Sequence, residues 1–367
     1  MAMLNPDEVT PLQPGFRRSM LLVTTLFISI MAAIDMTIVT VALPYMAGNL
    51  GATPDEITWV VTMFAVGQAL SIGITGHLSR LLGRKRLCIY TVVGFVCCSI
   101  ACGFAQSLHE IVILRLIQGA FCGPLIPISM SILVDAYPAS DRRRALSYWA
   151  MGVMGGPAIG PALGGFLAQH LDWRWNFFVN LPVGIIALLL IARFVRAIKP
   201  QSVRTDWPGL LLLAVFLITL QVGLDQGNRL DWFAALETWL LFATALVTFI
   251  AFVGRGLILG EKNIINLMLF RDINFTASAL LMMLVGSVFL SLLVLAPQIF
   301  IDMMGWEVVT AGLIIGSYGV AGISGAILSS HLAAAIGLRR VVILACVLLG
   351  ISWYLFSRID LNLSLIH

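Results

Sequence analysis

The sequence has 367 residues, of which 60% are hydrophobic and 11% charged, with a mean hydropathy of +0.99 and a net charge of +4. So little polar surface cannot cover a water-soluble globule of this size, so the chain must set apolar side chains against lipid. The expected partner is the bilayer, and no nucleic acid is implied by the small basic excess.

In chain order, a polar segment at 1–19 carries Asp7, Glu8, Arg17 and Arg18. Eleven apolar stretches follow, near residues 20–44, 58–79, 87–105, 109–136, 145–169, 175–195, 207–225, 235–255, 275–300, 309–334 and 341–357. Each approaches the roughly 20 residues of helix that a hydrocarbon core requires. The first is too long, and lacks the small-residue cleavage site, for a secretory signal, so it is retained as a span. The fold class is therefore an all-α integral membrane protein of about eleven transmembrane helices. Its expected divisions are 1–19 (cytoplasmic segment), 20–195 (six-helix bundle), 196–272 (linker and two inserted helices) and 273–367 (three helices of a second bundle).

Within the apolar spans, clear of their ends, two formally charged residues stand out, Asp35 in the first and Arg115 in the fourth. Either one facing lipid costs about 2.5 to 3.5 kcal/mol on insertion scales, so both are expected to face the bundle interior or a watery cavity. A carboxylate there has two accessible protonation states, which makes Asp35 the candidate proton-binding group. Arg115 stays charged and biases it, directly or through Gln118 and water. A purely structural hydrogen bond to a neighbouring helix is the alternative role for Asp35.

The fifth span carries Gly152, Gly156, Gly160 and Gly164 on one helical face, with Pro157, Pro161 and Gly165 among them. Small residues at that spacing let two backbones approach closely in lipid, and the prolines invite a bend. The expectation is a tight seam between bundles, closing the outward side, with plain helix packing as the alternative. Adaptable, weakly committed side chains for a substrate route are Met31, Met63, Phe64, Gln68, Met151, Met154, Met282, Met283, Phe289 and Gln298. The six cysteines lie in or beside spans with neither CxxC nor zinc-like spacing and are read as reduced packing residues, so no metal site is expected. The sequence contains no HExxH, Walker loop or GxSxG, which disfavours an enzyme, and no cofactor is expected.

Orientation follows from the basic residues. With the N-terminus cytoplasmic, all of the 22 Lys and Arg fall in inside segments except Arg115, Arg174, Arg229 and Arg358, as the positive-inside rule requires. The chain also repeats itself: His77-Leu78 and Gly83-Arg84-Lys85-Arg86 recur as His331-Leu332 and Gly337-Leu338-Arg339-Arg340, at a constant offset of 254. That pattern fits a duplicated bundle, with the ninth span equivalent to the first.

Several motifs carry a family resemblance. GHLSRLLGRKR (Gly76 to Arg86) is similar to the cytoplasmic loop motif of the major facilitator superfamily, and LRLIQG (Leu114 to Gly119) to that family's intramembrane arginine motif. GVMGGPAIGPALGG (Gly152 to Gly165) resembles the antiporter glycine-proline motif. IDMTIVTVALP, DWRWNFFVNLPVG and LQVGLDQGNRLDWF resemble the fourteen-span drug:proton antiporter group, EmrB/QacA-like. The resemblance implies proton-coupled multidrug efflux, driven by the proton gradient without a cofactor, in a bacterial inner membrane. It implies hydrophobic or amphipathic small molecules as substrates, and a periplasmic adaptor and outer-membrane channel as partners if the EmrB pattern holds. Where the loop motif usually has Asp this chain has Arg80, which leaves Asp135 to pair with Arg84 or stay solvated. Set against fourteen spans, the repeat implies a C-terminally truncated chain whose second bundle lacks three helices and which does not transport by itself. The alternatives are a genuine eleven-span protein with a partner chain, a transporter of a dedicated metabolite, and a non-transporting sensor or remnant.

Overall fold

The structure is a computed structural model that describes residues 15–197, 200, 206–227, 231–260, 263, 265–356 and 358. Asp7, Glu8, Lys199, Arg204, Arg229, Lys262 and the terminal Ile366-His367 lie outside the described residues. The fold is all-helical among the described residues, and each of the eleven expected spans is a helix or a broken helix.

These are α1 (Phe16–Leu50), α2 (Pro54–Leu82), α3 (Arg84–Phe104), α4 (Leu108–Ala136), α5 (Ala139–His170), α6 (Trp175–Phe194), α7 (Trp207–Gln226) and α8 (Leu236–Leu259). They are followed by α9 (Ile273–Gln298), α10 (Val308–Ile336) and α11 (Leu338–Phe356). Among the described residues nine helices meet a strict length and hydropathy criterion for crossing a membrane.

Local chemistry sets the breaks. In α1 a 3-10 turn at Thr40–Ala42 precedes Pro44, whose nitrogen has no hydrogen to donate, and the Thr40 hydroxyl donates to the Thr37 carbonyl at 2.7 Å. In α4, Gly123-Pro124 interrupts the helix between Cys122 and Leu125 for the same reason. Between α2 and α3 the chain turns at Gly83 (φ 78°, ψ 146°), and between α10 and α11 at Gly337 (φ 88°, ψ 148°). The two glycines share a left-handed φ that a side chain would strain, and each donates its N–H to the carbonyl four residues back. The sequence repeat is thus a repeat of backbone geometry.

Helices α1 to α6 pack on one another as a bundle, α7 and α8 pair and lean on α2, and α10 packs along α5. The bundle interior holds two apolar clusters. One, toward the end rich in Arg and Lys, includes Ile28, Phe95, Leu125 and Ile132; the other, toward the opposite end, includes Ile38, Met46, Val60, Trp173 and Phe177.

At the basic end Arg18 pairs with Asp141 at 2.5 Å and stacks over Tyr137, Arg84 pairs with Asp135, and the Lys85 ammonium donates to the Ala192 carbonyl at 2.7 Å. Asp206 caps α7 by accepting from the Gly209 N–H, and takes hydrogen bonds from Arg255 Nε (3.0 Å) and Nη2 (2.7 Å). Those bonds from Arg255 hold the Asp206 carboxyl below the usual carboxylate range, although partial burial opposes them. The pair therefore adds stability at any pH above the unfolded value, and that stability disappears as pH falls through the lower folded value. Asp206→Asn is expected to lower the thermal unfolding midpoint in detergent at neutral pH, with the gap from the parent closing only in strong acid.

The glycine face of α5 meets α1, not the second bundle. A Cβ on Gly156 would run into Ala33 and Ile34, on Gly160 into Thr37, and on Gly164 into Ile38. This corrects the expected seam between bundles: the Gly152, Gly156, Gly160 and Gly164 stripe is internal to the first bundle. The contact across bundles uses the other face of α5, where Ala158 and Pro161 meet Gly312, Gly316 and Gly319 of α10. A Cβ on Gly316 would stand 2.6 Å from the Ala158 carbonyl oxygen, a backbone atom that cannot swing aside. Gly316→Leu should therefore cost about 1 to 3 kcal/mol of stability from overpacking. Gly325→Leu, which enters open space, should be near neutral; equal unfolding midpoints for the two variants would refute the seam.

Candidate functional site

The members of the site all fall where the two apolar clusters meet. Asp35 lies on α1 between Met31 of one cluster and Ile38 of the other, and Arg115 and Gln118 lie on α4 between Ile111 and Cys122. Asn180 lies on α6 between Phe177 and Ala187, and Ser99 on α3 between Val96 and Cys102. Apolar residues above and below each of these positions exclude solvent from them. Asp35, Gln118 and Ser99 are 0% exposed, Arg115 1% and Asn180 2%.

Three donors converge on the Asp35 carboxylate. Arg115 Nη1 donates to Oδ2 at 2.8 Å, while Gln118 Nε2 and Asn180 Nδ2 donate to Oδ1 at 3.1 and 2.7 Å. Arg115 Nη1 also donates to Gln118 Oε1 at 2.9 Å, and Arg115 Nε to the Val60 carbonyl at 3.2 Å. The guanidinium lies 3.9 Å over the Phe64 ring, a cation–π contact strengthened by the dry surroundings. Asn180 further donates to Ser99 Oγ at 2.9 Å, and Ser99 to the Phe177 carbonyl at 2.9 Å. Five helices, α1, α2, α3, α4 and α6, are tied together through one carboxylate.

The expected trio of Asp35, Arg115 and Gln118 is thus brought together, and Asn180 and Ser99 join it. Hydropathy singles out neither, because only formal charge marks a residue as costly there, although Asn180 stands within DWRWNFFVNLPVG. Among the loop residues, Arg84 meets Asp135, Gly83 makes the turn, Lys85 caps α6, and Gly76 and Arg86 are exposed. In α5, Gly156, Pro157, Gly160, Pro161, Gly164 and Gly165 are buried and Gly152 partly so.

Of the substrate-route residues, Met31 and Phe64 are core residues, at 1% and 2% exposure, and Met282 and Met283 face outward. Met63, Gln68, Met151, Met154 and Phe289 are half-buried, and the Gln298 side chain lies outside the described residues. Cys88, Cys102 and Cys122 pack in the interior as expected, whereas Cys98 is half-buried and Cys97 and Cys346 are exposed. No metal-binding cluster occurs among the described residues.

Residues 25–366 match the model of the Major Facilitator Superfamily, and the chain belongs to that family of membrane transporters. It is 40% identical to the fatty acid resistance protein FarB of Neisseria gonorrhoeae, over 79% of this chain and 57% of that one. It is 34% identical to the multidrug export protein EmrB of Escherichia coli K12, over 93% of this chain and 68% of that one. The chain therefore spans between about half and two thirds of the length of these relatives. The solved structure of the peptide transporter POT in complex with sulfate shares the fold at 15% identity, with a TM-score of 0.62 over 92% of this chain and 73% of that one. A D-xylose-proton symporter does so at 15% identity and a TM-score of 0.54, over 86% and 69%.

Breaking a buried ion pair from one side leaves the other charge without a partner, which is strongly destabilising, whereas replacing both partners with apolar groups is often tolerated. Arg115→Met is therefore expected to lose about 3 to 5 kcal/mol. The double variant Asp35→Leu/Arg115→Met should lose clearly less, as read from unfolding in detergent; additive losses would count against a coupled pair.

Proposed function

We propose that this chain belongs to a proton-coupled exporter of hydrophobic or amphipathic compounds in a bacterial inner membrane, with Asp35 carrying the proton. The observation that carries the proposal is the Asp35–Arg115 pair: among the described residues it is the one ion pair with both side chains no more than 1% exposed. Protonation of Asp35 removes the charge that holds Arg115, and with it the ion pair that ties α1 to α4. The proton gradient would drive the cycle, and no cofactor takes part. Asn180 holds Asp35 Oδ1 in both states, since a protonated carboxyl still accepts from an amide.

The names of the relatives, a multidrug exporter and a fatty acid resistance protein, support amphipathic substrates over a dedicated polar metabolite. The clustering of Arg18, Arg84, Lys85 and Arg255 at one end of the helices supports a cytoplasmic N-terminus. The resemblance of its motifs to the EmrB-like group would make a periplasmic adaptor and outer-membrane channel the partners of the opposite end. The proposed divisions follow the packing: α1 to α6 as one bundle, α7 and α8 as an inserted pair, and α9 to α11 as part of a second bundle.

The test is proton release on substrate binding. Adding ethidium to the purified chain in weakly buffered detergent near neutral pH should release protons, and Asp35→Asn should abolish the release while keeping the helical fold. Undiminished release from Asp35→Asn would remove Asp35 from the mechanism, and none from the parent chain would count against proton coupling.

A further inference from the structure

We propose that the outer end of α6 holds a short file of bound water that admits protons from the outer face to Asp35; this rests on the assignment of Asp35 as proton carrier made above. Asn176, Phe177 and Asn180 follow one another on one face of α6, Trp173 stands in the turn just before it, and none of the four is more than 2% exposed. Two of the four carry polar atoms that nothing among the described residues satisfies: Trp173 Nε1, and both Nδ2 and Oδ1 of Asn176. Leaving a buried polar group unpaired is destabilising, and an apolar side chain at position 176 would avoid the loss. Water is the remaining partner, and a buried water ordinarily makes two to four hydrogen bonds to polar groups. The indole N–H only donates, whereas the Asn176 amide both donates and accepts, so together they hold water without fixing its orientation.

The file has a direction. One turn inward from Asn176 stands Asn180, whose amide is bonded to Asp35 and Ser99. Beyond it the same face turns apolar, with Gly184 against Val96 and with Ala187 and Ile191 fully buried. Polar access therefore runs from the outer end as far as Asp35 and stops there. At the mouth Asp172 and Arg174 pair at 3.4 Å, and the Arg174 guanidinium lies 4.4 Å over the Trp173 ring. Ionisable groups along the file among the described residues include these two at the mouth, and Arg115, Asp35 and the Cys102 thiol at the inner end. Each water accepts a proton on its outer side and gives one up on its inner side, so a proton delivered at the mouth ends on an Asp35 carboxylate oxygen. The indole N–H and the amides position the water and are not themselves proton carriers.

Radiolytic hydroxyl-radical labelling reads water beside a buried side chain, and infrared spectroscopy after a pH jump reads protonation of a carboxylate. In the purified chain Trp173 should be labelled nearly as fast as the exposed Trp175, despite its burial, and Asn176→Leu should cut that labelling severalfold. Asn176→Leu should also slow the carboxyl band that Asp35→Asn removes by about an order of magnitude, without changing its final amplitude. Trp173→Phe, which keeps the ring and loses the donor, should slow it severalfold and serves where Asn176→Leu fails to fold. Labelling of Trp173 no faster than that of the dry core residue Phe95 would overturn the water file. Loss of labelling with an unchanged protonation rate would overturn its role as the proton route. A carboxyl band that persists in Asp35→Asn would instead overturn Asp35 as the carrier and leave the labelling result standing on its own.

Discussion

The Asp35 carboxylate is the constraint around which the first bundle is arranged. A charge in the middle of a bilayer is stable only where the protein itself replaces its hydration, and here three side-chain donors do so from α4 and α6. Each donor must in turn be held. Arg115 is fixed by the Val60 carbonyl and the Phe64 ring, Asn180 by Ser99, and Ser99 by the Phe177 carbonyl. The requirement to satisfy one anion thereby dictates the relative depth of five helices, which apolar contacts alone would leave free to slide. It also divides the interior into two apolar clusters, because a polar layer that must stay dry needs packing on both sides.

Close approach of backbones is the second requirement that the same geometry imposes. For α1 and α5 to lie near enough to seal Asp35 from lipid, Gly156, Gly160 and Gly164 must lack side chains. On the opposite face of α5, Gly312, Gly316 and Gly319 of α10 allow the second bundle to approach equally closely. Helix α5 is thus flanked on both sides by contacts with almost no side chain between backbones. Helix α5 thereby links α10 to α1, which carries Asp35.

Much of this architecture was legible from hydropathy and charge, because the bilayer imposes a strong pattern: long apolar runs, basic turns and two isolated intramembrane charges. The turn at Gly83 announced its counterpart at Gly337 through a shared sequence pattern, and both adopt the same backbone. Boundaries were less legible. Helix α5 starts at Ala139 and not near 145, since its first turns carry Asp141 and Arg142 to Arg144, are polar and yet helical, and stand clear of the apolar run. The break at Gly123-Pro124 in α4 was hidden inside continuous hydrophobicity. Asn180 and Ser99 escaped notice because an amide and a hydroxyl barely lower a windowed hydropathy, although they complete the site. The partner of the α5 glycine stripe was not recoverable either, since a stripe states that something comes close without stating what. The glycines of α10, at 312, 316 and 319, lack the strict four-residue spacing that draws attention to such a face.

The distribution of satisfied and unsatisfied polar groups distinguishes the two ends of the site. Around Asp35 the carboxylate oxygens and the donors that meet them are engaged, as a buried network must be if it is not to be worse than an apolar core. One turn away from the basic end, the Asn176 amide on α6 and the Trp173 indole N–H just before it are buried without partners among the described residues. Stability alone gives no reason to keep three orphaned polar atoms next to a network that is otherwise complete. Toward the basic end the contrast is sharp, for Gly184, Ala187 and Ile191 continue that side as apolar packing. A site built this way is polar on one approach and apolar on the other, the asymmetry on which the proposed proton uptake from one side rests.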